Sequence, residues 1–249
     1  MEMQRPIIIA LASPKGGVGK STSCLNIAGA LSHAGHRVHV MDLDQTQTLG
    51  RWFTNHGDTI AQIAPNLTIA TCAEKDFPEA FKAQLRAQAG QGGFILLDLA
   101  GSFGETMLKA AALADLTITP SKLSEPDIIE ATKLAERIRR LAADVGKVIR
   151  HRILINEVPS LLPGYMVAVL SQLSSSGLSR FATMIRARAA YGEAVMTGQT
   201  PHYADSLRAP IAKAVAELDH LMEEILAVLE DRVPVEAKSD EAEPESLAA

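Results

Sequence analysis

Residues 6–22 read Pro6-Ile7-Ile8-Ile9-Ala10-Leu11-Ala12-Ser13-Pro14-Lys15-Gly16-Gly17-Val18-Gly19-Lys20-Ser21-Thr22. An isoleucine-rich run of strand length leads into a glycine-rich turn and then into a helix start. The pattern predicts a strand over 6–12 and a helix over 20–33, with Gly35 as its stop. Gly16, Gly17 and Gly19, with Val18 between them, let the backbone curl so that several N–H groups converge. The helix behind them adds the positive end of its dipole. Such a turn suits phosphate oxygens. Lys20 is placed for the β- and γ-phosphates of a nucleoside triphosphate, and the Ser21 hydroxyl for Mg²⁺, with Thr22 closing the loop. A ligand-free glycine turn is the competing explanation, and the strand before and helix after argue against it. The strict phosphate-loop pattern has Gly five residues before Gly19; this chain has Pro14 there, then an additional lysine, Lys15.

Outward from the loop, strand and helix patterns alternate. Strands are expected at 37–42, 67–71, 93–98, 115–120 and 152–156, with a short one near 181–185. Helices are expected at 46–56, 77–89, 125–144, 164–176 and 205–231. This order predicts an α/β fold: a P-loop NTPase with a mostly parallel twisted sheet and helices on both faces. Ligands of such sheets bind beyond the carboxyl ends of the strands. No linker or internal repeat divides the chain, so 1–232 reads as a single P-loop ATPase domain. Residues 233–249 read as an acidic disordered tail: from 236 onward five acids face only Lys238. Of the net charge of −5, that tail holds most, which leaves the body near neutral. Hydrophobic residues make up 47% and aromatics 4%, a core of Val, Ile, Leu and Ala that suits a covered parallel sheet. There is no signal-peptide pattern and no long apolar span, which points to the cytosol. Cys24 and Cys72 lack metal spacing and read as small buried hydrophobes. The seven histidines are scattered without ligand spacing.

Three further places carry chemistry. Met41-Asp42-Leu43-Asp44-Gln45 puts two carboxylates at i and i+2 at a strand end, both facing the mouth of the sheet. One would hold Mg²⁺ waters and the other position the attacking water; an acidic turn capping the next helix is the alternative. Four apolar residues followed by Asp98 form the usual second magnesium element, with Gly101 able to let the next loop sense the γ-phosphate. Asn156, at the end of a late strand, has an amide that can read a purine edge, although a turn-forming Asn before Pro159 competes.

Lys-Gly-Gly-Val-Gly-Lys-Ser-Thr with its extra lysine resembles the deviant Walker A motif of the ParA/MinD superfamily. Met41 to Gln45 resembles that family's switch I, and Leu97-Asp98 its Walker B. The resemblance spans about residues 6–230. It implies that Lys15 is the signature lysine reaching a partner's nucleotide across a dimer, that Lys20 is the ordinary phosphate lysine, that Asp44 is needed for hydrolysis, and that Asn156 contacts adenine. It implies an ATP-bound homodimer reset by slow hydrolysis that a ParB-like or other partner stimulates. Asp44-Gln45-Thr46 replaces the family's Asp-Pro-Gln, and Pro120 to Ile128 looks like VirC-type relatives that assist DNA transfer, as well as short plasmid-partition ATPases.

The resemblance also implies non-specific DNA binding by basic residues, with Arg186, Arg188 and Arg208 as the candidates and Arg180 nearby. Arg137, Arg139, Arg140, Lys147, Arg150 and Arg152 form a second cluster that reads as ordinary solvated charge. The last helix has an acidic polar face, unlike the basic membrane helix of MinD-type proteins, so no membrane partner is expected. The sequence therefore points to an ATP-dependent dimeric switch in DNA partitioning or intracellular positioning. The alternatives are a VirC-type adaptor that scarcely hydrolyses ATP and a small-molecule ligase of the same fold.

Overall fold

A computed structural model describes residues 5–146 and 148–230; the acidic tail expected at 233–249 lies outside them. Six strands form one sheet: β1 (Ile7–Leu11), β2 (Val38–Asp42), β3 (Leu67–Thr71), β4 (Phe94–Asp98), β5 (Leu116–Ser121) and β6 (His151–Ile155). Their order is β3-β2-β4-β1-β5-β6, and every pairing is parallel. All carboxyl ends therefore meet at one edge. Leu11 and Asp42 both pair with Asp98 in register, which sets the ends of the three central strands side by side.

Alternate residues of each strand enter different cores. Ile9, Leu11, Val38, Val40, Phe94, Leu96 and Ile118 meet α1 (Lys20–His33), α2 (Thr48–Asn55), α3 (Gly57–Ile63), α8 (Ala189–Met196) and α9 (Ala209–Leu229). Ile8, Ala10, Met41, Ile95 and Leu97 meet α4 (Phe77–Ala87), α5 (Glu105–Leu113) and α6 (Glu125–Val145). Ile153 and Ile155 add a smaller cluster with α6 and α7 (Gly164–Ser175). The strands are apolar throughout because both faces are covered. Helix α6 has the most explicit boundaries: the Ser124 hydroxyl accepts from the Asp127 N–H at 3.3 Å, and Gly146 leaves the helix at φ 62°.

Three sequence expectations change. The strand expected near 181–185 is reduced to two isolated bridges, Ile153 to Arg180 and Val158 to Arg186. The segment does run beside β6, where the Phe181 and Ile185 N–H groups donate to Ile153 and Ile155. Between them the Ala182 and Thr183 N–H groups donate to the Glu224 carboxylate of α9, at 2.6 and 2.7 Å, so the ladder is interrupted by a side chain. The helix expected at 46–56 divides into α2 and α3 at His56. Helices α5 and α8 appear where no helix is expected. Each is short and buries only three residues, mostly alanine, which leaves a weak periodic pattern.

Candidate functional site

The P-loop runs from the end of β1 to the start of α1. Gly17 and Gly19 lie at φ 72° and 86°, where side chains are strained. A Cβ on Gly19 would also meet the Asn156 amide nitrogen at 2.7 Å. Gly16 has open space, and Val18 is buried. Lys20 opens α1 and is 7% exposed, so its charge is held inside the loop rather than in solvent. Ser21 and Thr22 follow in the first turn, where N–H groups have no partner within the helix. A Cβ added at Gly101, after β4, would lie 3.5 Å from the Lys15–Gly16 backbone, so the loop after Asp98 runs beside the P-loop.

Lys15 behaves differently from Lys20. It is partly exposed, and its Nζ lies 3.2 Å from the Asp127 carboxylate at the start of α6. Asp127 is itself oriented by the Ser124 hydroxyl at 2.8 Å.

The two acidic elements differ in their surroundings. Asp98 is fully buried, and neither of its carboxylate oxygens has a hydrogen-bond partner within 3.5 Å. Burial pushes its carboxyl up to about 7, although the nearby Ser21 hydroxyl and the Lys20 charge favour the ionised form. Asp98 and Ser21 thus form an oxygen pair with spare ligand capacity beside the P-loop. This fits Mg²⁺, which takes few protein ligands and completes its shell with phosphate and water. Among the described residues no group of three His, Cys, Asp or Glu is arranged for a metal.

Asp42, expected as a metal residue, is occupied otherwise. Its Oδ2 accepts from the Leu49 and Gly50 N–H groups at 3.0 Å and its Oδ1 from the Asp44 N–H at 3.1 Å. The carboxylate closes the start of α2, so the capping explanation of this acid holds. Gly50 permits the close fit, since a Cβ there would lie 2.1 Å from Thr71. Asp44 remains partly exposed at the mouth. Its partial burial opposes ionisation, but the Thr46 N–H and hydroxyl, each at 2.8 Å, and the Lys20 charge hold its carboxyl below the usual range. It is an anionic acceptor at working pH.

Asn156 does not present a free amide. Its Nδ2 donates to the Val18 carbonyl at 3.1 Å and to the Ser23 hydroxyl at 2.8 Å, tying β6 to the P-loop. Only its Oδ1 is left without a partner. Asn156 lines a cavity of about 420 Å³ between α1, β6, α9 and the 185–191 segment.

The three arginines expected on one DNA-facing surface are not together on an open face. Arg186 and Arg188 are half-buried in the wall of that cavity. Arg186 donates to the Pro159 carbonyl at 3.0 Å, and Arg188 pairs with the nearly buried Glu217 at 2.8 Å. Glu217 also accepts from the Arg186 backbone N–H. The acids Glu217 and Glu224 of α9 are what pin this segment. Arg208 alone is well exposed, paired with Glu193 at 2.8 Å.

An all-parallel sheet whose first strand feeds a lysine-bearing glycine loop, with a buried aspartate at the end of the neighbouring strand, defines a P-loop ATPase of the ParA/MinD type. Residues 7–131, just over half of the chain, match the ATPase MipZ family, and the chain belongs to that family. It is similar to protein ParA of Rhizobium radiobacter, 24% identical over 213 residues that cover 84% of this chain and 90% of the relative. It is also similar to protein virC1 of Rhizobium radiobacter, 27% identical over 152 residues covering 61% and 64% of the two chains. Among solved structures, a Cyanothece McdA variant in complex with ATP shares the fold at TM-score 0.63, with 13% identity over 87% of this chain and 97% of that one. Among the described residues no helix is long and apolar enough to cross a membrane.

Proposed function

We propose that this partition or positioning ATPase works as an ATP-controlled homodimer that binds DNA non-specifically and resets by slow, partner-stimulated hydrolysis. The observation that carries this reading is the unequal placing of the two P-loop lysines. Lys20 is buried where it can serve only its own phosphate site. Lys15 of the same loop is partly exposed and paired with Asp127, so it would exchange that carboxylate for a site on another copy.

ATP would be held by the backbone of Gly16 to Lys20 and by the first turn of α1, with Lys20 on the β- and γ-phosphates. Ser21 and Asp98 would hold Mg²⁺, which when bound neutralises charge on the phosphates. Asp44, ionised and at the mouth, would orient the attacking water through its carboxylate. Gly101, against the P-loop backbone, would pass the state of the γ-phosphate to the loop after β4. The ADP state would release the dimer and then the DNA; a ParB-like protein would accelerate this step.

Nucleotide binding and light scattering test the scheme together. Lys20→Ala is expected to abolish ATP binding. Lys15→Ala is expected to retain ATP binding but stay monomeric with ATP. A Lys15→Ala protein that dimerises like the wild type would sink the shared-site reading. The similarity to virC1 favours one second reading, an adaptor that binds ATP and recruits DNA-transfer machinery. Hydrolysis that is slow and unchanged in Asp44→Ala would support it.

A further inference from the structure

Helix α6 has 21 residues and α7 beside it only 12. Helix α7 packs with Ile128 and Ala131, in the first part of α6. Beyond it a cleft of about 760 Å³ opens between the rest of α6, the start of β6 and residues 176–179. This is the amino-terminal end of the sheet, opposite the P-loop. Arg139 of α6, with Arg150 and Arg152 at the start of β6, lines the cleft, and Glu136 is the one acid among the described lining residues. The second basic cluster of the sequence is therefore gathered in part around a cavity.

Two of these arginines lack the partners that would explain them. Among the described residues neither Arg139 nor Arg152 lies within ion-pair distance of a carboxylate. The carboxyl ends of α6 and α7 also point here, and such ends attract cations. Yet Arg152 donates to the His151 carbonyl at 2.9 Å instead, and Arg139 makes no hydrogen bond to either end. Burial and then the Arg150 charge hold the Arg152 guanidinium below its ordinary value. His151, pushed down to about 4 by burial, adds no charge at neutral pH. Val148, 77% exposed, with Ile149 and Leu178, makes another wall apolar. A small free anion would leave that wall unused, and a nucleic-acid backbone would meet Glu136 and apolar surface. Carboxylates beside an apolar side chain, on a peptide, fit both walls.

The chain carries such a segment: Asp240-Glu241-Ala242-Glu243-Pro244-Glu245-Ser246-Leu247. Helix α9 delivers the chain to the right end of the sheet. Glu217 bonds at Arg186 and Glu224 at Ala182 and Thr183, so α9 runs against the direction of that segment, which runs parallel to β6. The six residues from Glu224 to Glu230 carry α9 roughly 9 Å further, toward Ser179 and the cleft. Rounding the sheet edge takes about two helix diameters, roughly 20 Å. The ten residues from Glu230 to Asp240 can span roughly 33 Å.

We propose that the cleft beyond α7 is a docking site for the acidic segment 240–247 of the same chain, with its carboxylates on Arg139, Arg150 and Arg152. A segment tethered this closely acts at millimolar effective concentration, so individually weak pairs suffice. The proposal is independent of the nucleotide reading.

The test uses the full chain without nucleotide and a fluorescent peptide of residues 236–247. In one variant Asp240→Asn, Glu241→Gln, Glu243→Gln and Glu245→Gln remove the segment's charge. This protein is expected to bind the peptide at least about fivefold more tightly than the wild type, whose own segment competes. Adding Arg139→Gln and Arg152→Gln is expected to weaken binding about tenfold, and 1 M salt to do the same. Amides of residues 149–152 and 177–179 are expected to exchange hydrogen about three- to tenfold faster in the neutralised protein than in the wild type. If the buried Arg152→Gln change prevents folding, the exposed Arg139→Gln alone decides. Equal peptide binding by wild-type and neutralised proteins overturns the assignment to this chain's own segment. A cleft that ignores the peptide but binds a short oligonucleotide through the same arginines overturns it in favour of nucleic acid.

Discussion

Asp98 stands at the end of β4 with no exposure and no hydrogen bond to either oxygen, a position that stability alone would not select. Burial raises its carboxyl to about 7, well above the ordinary carboxylate value. A folded-state value above the unfolded one means that the folded chain binds the proton more tightly. Its contribution is present below the ordinary carboxyl range and is lost as pH rises through about 7. The upper bound of that loss is roughly 4 kcal/mol. Apo protein should therefore lose stability between pH 4 and pH 7 through this residue, and Asp98→Asn should flatten the loss and melt higher at pH 8 by a few degrees. The same variant should hydrolyse ATP about ten- to a hundredfold more slowly if Asp98 is the Mg²⁺ ligand proposed above. Thermal melts without nucleotide and steady-state turnover measure the two effects. A variant that is less stable at pH 8 would contradict the reading that burial of the Asp98 carboxylate costs stability. Asp42 makes the contrast at the same strand level. Three backbone N–H groups satisfy it, and it holds the start of α2.

At the scale of elements, the start of α6 does two things at once. Ser124 caps the helix, and Asp127 in its first turn both bonds to Ser124 and holds Lys15. The ion pair is partly exposed, and such pairs contribute at most about 1 kcal/mol. If Lys15 must leave Asp127 to serve a second copy, then Asp127→Asn should strengthen ATP-dependent dimerisation up to about fivefold. Sedimentation at several protein concentrations would show it; weaker dimerisation would mean that Asp127 helps Lys15 across the interface. The sequence shows both residues, but not their contact, because 112 positions separate them and only the adjacent ends of β1 and β5 bring them together. The strands and the phosphate loop are legible because they depend on local pattern: apolar runs of fixed length, glycines at fixed spacing, Ser124 before a helix. The roles of Asp42 and Asn156 are not, because a residue's type at a strand end does not say which backbone groups the turn will aim at it. The anchoring roles of Glu217 and Glu224 are hidden for a related reason. Their spacing of seven places them on one face of α9, and that face is met by the N–H groups of another segment instead of water.

At the scale of the molecule, the nucleotide mouth and the exposed face at Arg208 are linked by rigid parts. Asp42 fixes the start of α2, and the Trp52 indole in α2 donates to the Val195 carbonyl of α8 at 2.8 Å. Helix α8 carries Glu193, which holds Arg208. The half-buried Arg186 and Arg188 support this wall and cannot reach a flat polyanion without breaking their bonds to Pro159 and Glu217. The arginines should therefore divide by assay. Each phosphate contact lowers the slope of log affinity against log salt by about 0.9, and the proposed dimer would carry two copies. Arg208→Ala should weaken ATP-dependent DNA binding for every sequence and reduce the slope by about 1 to 2, leaving the melting temperature nearly unchanged. Arg188→Ala should instead lower stability, because Glu217 is left buried and short of a partner. DNA binding with ATP, with ADP and without nucleotide, at two salt concentrations, separates these outcomes. An unchanged salt slope in Arg208→Ala would remove this face from the DNA contact. Binding equal in ATP and ADP would show that the path from Asp42 through Trp52 to α8 carries no nucleotide signal.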